Sequence, residues 1–187
     1  MALAVYSNST SKSSGGNQLL AITEIGNIAS IVVTAGEVSS VIMGSTLTFK
    51  KIGIEQDSLQ RTHGGQGSKN NIGFVHQIKY SLSDPNVDLE AHANALADAS
   101  PAGIAAVVLD GNSQAWLIGY NDTEFGNRPM RLVNDDFYSG LEPIGDDIQN
   151  NDFTLECKSS RRALPFNAEN SATIAAGTSI AHFIADS

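Results

Sequence analysis

Short β-branched runs separated by turn residues make up most of the chain. Residues 28–34 and 38–43 are two such runs, joined through Ala35-Gly36-Glu37, and they predict a hairpin. Leu47 and Phe49 alternate with Thr46, Thr48 and Lys50, after which the apolar phase moves to Ile52 and Ile54. A one-residue slip of that kind predicts a β-bulge. The most regular alternation lies further on. Ile72, Phe74, His76, Ile78, Tyr80 and Leu82 fall on one face, with Gly73, Gln77, Lys79 and Ser81 on the other and Val75 breaking the pattern. That periodicity predicts a half-buried strand. Phe153, Leu155 and Cys157 repeat it opposite Asp152, Thr154, Glu156 and Lys158. Residues 174–185 are small and apolar and predict a closing strand.

Three segments differ in kind. Residues 104–109 and 115–120 are continuously apolar, as strands covered on both faces are, and Asp110-Gly111-Asn112-Ser113-Gln114 joins them with turn chemistry. Asp84-Pro85 predicts a helix start, followed by an apolar stripe of Leu89, Ala93, Leu96 and Ala97 and a stop at Ser100-Pro101-Ala102-Gly103. Residues 55–71 have no apolar periodicity. This predicts a long loop serving contacts, with Arg61, His63, Gln66 and Lys69 as candidate inter-subunit residues and with deletion expected to leave the fold intact. The expected architecture is mainly β: an antiparallel β-sandwich or partial barrel with one short flanking α-helix. Residues 1–16, rich in Ser and Gly, are expected to form a flexible arm before a single β domain at 17–187.

Composition narrows the partners. Of 187 residues, 11 are Lys or Arg and 20 Asp or Glu, for a net charge of −9. Gripping a nucleic-acid backbone needs a positive field, so that class is excluded. The single cysteine cannot form an internal disulfide. No apolar run is long enough to span a bilayer, and the first residues lack the pattern of an export signal. Asn8-Ser9-Thr10 and Asn121-Asp122-Thr123 are accordingly read as chance glycosylation triplets.

No catalytic constellation assembles. Gly111-Asn112-Ser113-Gln114-Ala115 has the outline of a nucleophile elbow and His63-Gly64-Gly65 that of an oxyanion loop, but a strand rather than a helix should follow the serine. The histidines, His63, His76, His92 and His182, have no metal-ligand spacing, and Asp135-Asp136 and Asp146-Asp147 lack that of a calcium loop. The glycines of 64–67 do not follow P-loop order, Cys157 lies on an apolar strand face, and Arg161-Arg162 is an isolated basic pair. The expectation is a non-enzymatic protein without metal or cofactor.

The order of features carries a resemblance. Asn71-Ile72-Gly73-Phe74-Val75-His76-Gln77-Ile78-Lys79-Tyr80 leads into the helix, and Val107-Val108-Leu109-Asp110-Gly111-Asn112 and Ala115-Trp116-Leu117-Ile118-Gly119 follow. Ser139-Gly140, Asp146-Asp147, Asn151-Asp152-Phe153-Thr154-Leu155-Glu156-Cys157 and Ala163-Leu164-Pro165-Phe166 complete the series. This resembles bacteriophage tail structural proteins, in particular tail-tube-like proteins of phages and prophages of Bacteroidetes, over residues 71–166. The resemblance implies copies joined edge to edge into rings, hexameric among the candidate symmetries, that stack into a tube conducting the genome. Its implied setting is the virion tail, assembled in the host bacterial cytoplasm beside other tail proteins, with DNA passing transiently and non-specifically. Gln77, Lys79, Asp152 and Glu156 are the candidate lumen-facing residues, on a wall expected to be net negative. The alternatives are a capsid decoration or head–tail joining protein and, in another class, a ligand-binding β-sandwich using Trp116, Tyr120 and Tyr138. A hydrolase built on Ser113 comes last.

Overall fold

A computed structural model describes residues 17–44, 48–54, 58–68, 71–83, 87–110, 114–121, 127–138, 150–167 and 184–185. The strands are β1 (Asn17–Glu24), β2 (Ile28–Thr34), β3 (Glu37–Met43), β4 (Phe49–Ile52), β5 (Gln60–Ser68), β6 (Asn71–Ser83), β7 (Ile104–Asp110), β8 (Gln114–Ile118), β9 (Arg131–Tyr138), β10 (Asn150–Ser159), β11 (Leu164–Asn167) and β12 (Ile184–Ala185). One helix, α1 (Val87–Ala99), follows β6. They form two sheets, an eight-stranded one ordered β12-β4-β1-β7-β8-β11-β3-β2 and a four-stranded one ordered β5-β6-β10-β9. The fold is mainly β and sandwich-like, with antiparallel pairing throughout except β11 on β3 and β12 on β4.

Both faces of the large sheet are covered. Leu20 and Ile22 of β1, with Ile104, Ala106 and Val108 of β7, enter one core cluster, which also takes Ile78, Tyr80, Phe153 and Leu155 from the small sheet. Ala21, Ala105, Val107, Ala115 and Leu117 enter a second cluster with Ile28, Val38, Val41, Phe49 and Phe166, all from the large sheet itself. This is why 104–109 and 115–120 are apolar without alternation. Each large apolar side chain buried in this way contributes roughly 1.5–3 kcal/mol.

Connectivity makes the large sheet curl. β1 and β2 stand five places apart in it, which in a flat sheet is about 24 Å. The chain between them is only a 3-10 turn, Ile25–Asn27, so Glu24 and Ile28 lie at most about 14 Å apart. The sheet therefore bends back toward closure, and its concave face holds the second cluster.

The predicted bulge near Phe49 is absent. β4 pairs with β1 in unbroken register, Leu20 opposite Ile52, Ala21 opposite Lys51 and Ile22 opposite Lys50. Phe49 belongs to the second cluster and Ile52 and Ile54 to the first, so the shift in phase is a strand feeding two cores in turn. The long loop at 55–71 is also corrected. Residues 60–68 are strand β5, paired with β6 from Gln60 opposite Lys79 to Ser68 opposite Asn71. Its backbone ladder needs no apolar side chains, and residues 62–67 are all exposed. Deleting 55–71 would remove a strand, together with the buried Leu59.

The helix lies against the small sheet. Leu89, His92, Leu96 and Ala99 are buried, whereas Ala97, placed on the apolar stripe from the sequence, is exposed. His92 takes that place because the Tyr80 hydroxyl sits 3.0 Å from its Nε2 and Phe153 meets its ring edge-on at 5.3 Å. Burial, and then the charge of Asp135, push the Tyr80 phenol well above its ordinary pKa, so it stays neutral. The predicted helix start at Asp84-Pro85, the turn at 111–113, the arm at 1–16 and most of 174–185 lie outside the described residues.

Gly119 ends β8 with φ +93°, and a Cβ there would meet the Ile104 carbonyl oxygen at 2.6 Å. Gly119→Ala should cost at least about 2 kcal/mol in urea unfolding. Gly26, with nothing near its would-be Cβ, should accept alanine within about 0.5 kcal/mol.

Candidate assembly surface

The small sheet brings the sequence-predicted residues into one lattice. On its outward face Gln77 stands between Thr62 and Glu156, Lys79 between Gln60 and Thr154, and Ser81 beside Asp152. β9 adds Arg131 opposite Glu156 and Asn134 opposite Thr154. Gln77, Lys79, Asp152 and Glu156 thus share one face, because side chains two apart on a strand point the same way. Gln77 Nε2 donates to Glu156 Oε2 at 2.9 Å, and Ser81 Oγ to Asp152 Oδ1 at 2.5 Å. Both carboxylates are half-buried and tied to neutral donors, while Lys79, Arg131 and Lys158 are exposed.

This face carries charges of both signs. Lys79, Arg131 and Lys158 stand on it with Asp152 and Glu156, and Asp136 of β9 stands opposite Asp152. Two open grooves cross the face. One of about 360 Å³ is lined by Thr62, Gln77, Glu156 and Lys158, the other of about 580 Å³ by Lys79, Ser81, Asn134 and Asp152. His63 also borders the first, and the bonded Ser81 and Asp152 pair lies in the second. Among the described residues no group of three His, Cys, Asp or Glu could hold a metal ion.

The candidate contact residues divide. Arg61 stands opposite Ile78 and so turns inward, its Cζ 4.3 Å from the centre of the Trp116 ring. It reaches across to the large sheet, and its guanidinium covers a ring the sequence offered as a ligand platform. His63 stands opposite His76, with ring centres 6.5 Å apart, and is exposed at the sheet margin. Gln66 is exposed opposite Gly73, and Lys69 lies outside the described residues. The sequence reading missed β9, whose signal is weak because Asn134, Asp135 and Asp136 interrupt the apolar positions. Ser113 also lies outside the described residues, but β8 pairs antiparallel with β7, so a strand follows that turn.

Two groups on the inner face are held in place by burial. His76 is 2% exposed and its Nε2 lies 3.0 Å from the Arg161 carbonyl oxygen; a carbonyl only accepts, so the imidazole carries its proton there. Burial lowers the His76 pKa against the opposing effect of that hydrogen bond, and the charges of His63 and Arg61 lower it further. The Cys157 thiol is pushed up to about 12, first by burial and then by Glu156, and is inert as a nucleophile.

Because the unfolded chain binds a proton on this imidazole more readily than the folded one, the His76 contribution is complete above about pH 6.5 and is lost as pH falls toward the lowered folded value. Urea unfolding at pH 5 should therefore show less stability than at pH 7.5. His76→Gln, which keeps a donor for Arg161, should shrink that drop; an undiminished drop would refute the assignment.

No protein-family model matches this chain, and neither does any curated protein or any solved structure.

Proposed function

We propose that this chain is a non-enzymatic virion structural protein, a tail-tube-like subunit that self-assembles into stacked rings through which DNA passes. The observation that carries the reading is the pair of open edges on the small sheet. β5 and β9 have no strand beyond them among the described residues, and they run in opposite directions because the four strands alternate. A copy placed alongside by rotation would bring its β5 against β9 of its neighbour as an antiparallel pair. A rotation that closes gives a ring, and stacking of rings gives a tube. Edges of this length invite such pairing, and native proteins that keep them open use them.

In such a ring the outward face of each small sheet would join that of the next. Gln77, Lys79, Asp152 and Glu156 would then line one continuous wall with Thr62, Thr154 and Asn134. That wall would be polar and of mixed charge, with Glu156 and Asp152 already bonded to Gln77 and Ser81. Passing DNA would meet hydrogen-bonding groups and scattered lysines, which suits transient contact at physiological salt. The order of motifs in the sequence supports the same reading. A capsid decoration or head–tail joining protein would use the same edges. Arg61 over the Trp116 ring counts against the ligand-binding alternative, which relied on that ring with Tyr120 and Tyr138.

Electron microscopy of the purified protein over a range of concentrations tests this reading. Rings or tubes are expected, and a persistent monomer counts against them. Lysines introduced together at the exposed Thr62 and Gln66 should keep the protein monomeric, with an unfolding free energy within about 0.5 kcal/mol of the parent.

A further inference from the structure

The two open edges are unlike in charge and alike in handedness of face. β5 carries Arg61 and His63 and no acid, whereas β9 carries Asp135 and Asp136 with a single cation, Arg131, at its start. Asp135 stands opposite Phe153 and His63 opposite His76, so both belong to the inward face of the sheet, and both are exposed at its margins. If a second copy continues the sheet, inward residues of one edge meet inward residues of the other on the same side of the seam.

We propose that Asp135 of one copy pairs with His63 of the next, in an antiparallel β9–β5 seam that sets Asn134 opposite Gly64 and Tyr138 opposite Gln60. The inference rests on the ring reading above and names the residues that would close the ring. Three observations select this register. The strands have eight and nine residues, and this alignment overlaps β9 along its whole length. A shift by one residue would turn every side chain to the wrong face. A shift by two sets Asp135 against either Gly65, which has no side chain, or Arg61, whose guanidinium already lies over Trp116.

The irregular end of β9 fits the same alignment. β9 pairs Asn134 with Thr154 and then Leu132 with Leu155, which leaves Val133 as an extra, exposed residue. A bulge at an edge normally discourages pairing. Here it would fall against the stretch from Gly65 to Gly67, where glycine backbone can follow the bend and Gly67 already has φ +137°. The regular part of β9, from Asn134 to Tyr138, would meet the part of β5 that carries Arg61 and His63. A carboxylate that accepts an imidazole N–H across a strand pair stabilises it, whereas like charges there oppose it, so the seam would also set the direction of ring growth.

The test is crosslinking within assembled particles. In a Cys157→Ala background, each chain carries Asp135→Cys and His63→Cys, and a control chain carries Asp135→Cys and Gln66→Cys. Directly opposed positions on neighbouring strands are close enough for a disulfide. Oxidised particles of the first variant should run on a non-reducing gel as a ladder ending at the ring number, and the control should run as monomer. As a second measurement without cysteines, Asp135→Lys should raise the concentration needed for assembly by about tenfold, and His63→Glu in the same chain should restore it. Particles that form without crosslinks, crosslinks equal to the control, or a double variant that fails to recover overturn this seam and leave the ring reading standing. A folded protein that stays monomeric at every concentration overturns both.

Discussion

The fold depends on one sheet having to be buried twice. β1, β7 and β8 present apolar side chains on both faces, and a sheet of that kind is stable only when something covers each side. The short connection through Ile25–Asn27 solves one side by drawing β2 and β3 back over the concave face. The small sheet and α1 solve the other. Once its inner face is committed to that task, the small sheet has only its outward face and its two edges left to offer. The candidate surface is what remains after the core has been satisfied.

Those remaining parts are polar by construction. On the outward face the carboxylates of Asp152 and Glu156 are held by Ser81 and Gln77 instead of by lysines. Lys79, Arg131 and Lys158 are exposed on the same face, so it carries both signs of charge. A face of mixed sign differs from one that bears the whole net charge of −9. Net charge bears on solubility and encounter, but it does not say which face carries the charge.

Much of this architecture was legible in the chain. β6 and β10 stand out because one side of each faces a core and the other faces water, so His76, Ile78, Tyr80 and Leu82 alternate with Gln77, Lys79 and Ser81. The apolar β7–β8 hairpin was equally plain. What escaped has a physical reason in each case. β5 is held by its backbone ladder, and hydrophobic periodicity registers only side-chain burial. Phe49 and Ile52 imitate a bulge because they serve different cores. His92 is polar, and its place in the buried face depends on Tyr80, twelve residues away in sequence. Arg61 resembles a surface contact until the register of β5 turns it inward.

That inward turn has an optical consequence. The chain has a single tryptophan, Trp116, fixed in the large sheet, and the guanidinium resting on it comes from an edge strand of the other sheet. Among the described side chains of β5, Arg61 alone is half-buried, and its guanidinium ties the strand to the ring. The indole is therefore a built-in gauge. Its emission reports whether the edge strand is seated, without any added label, during folding.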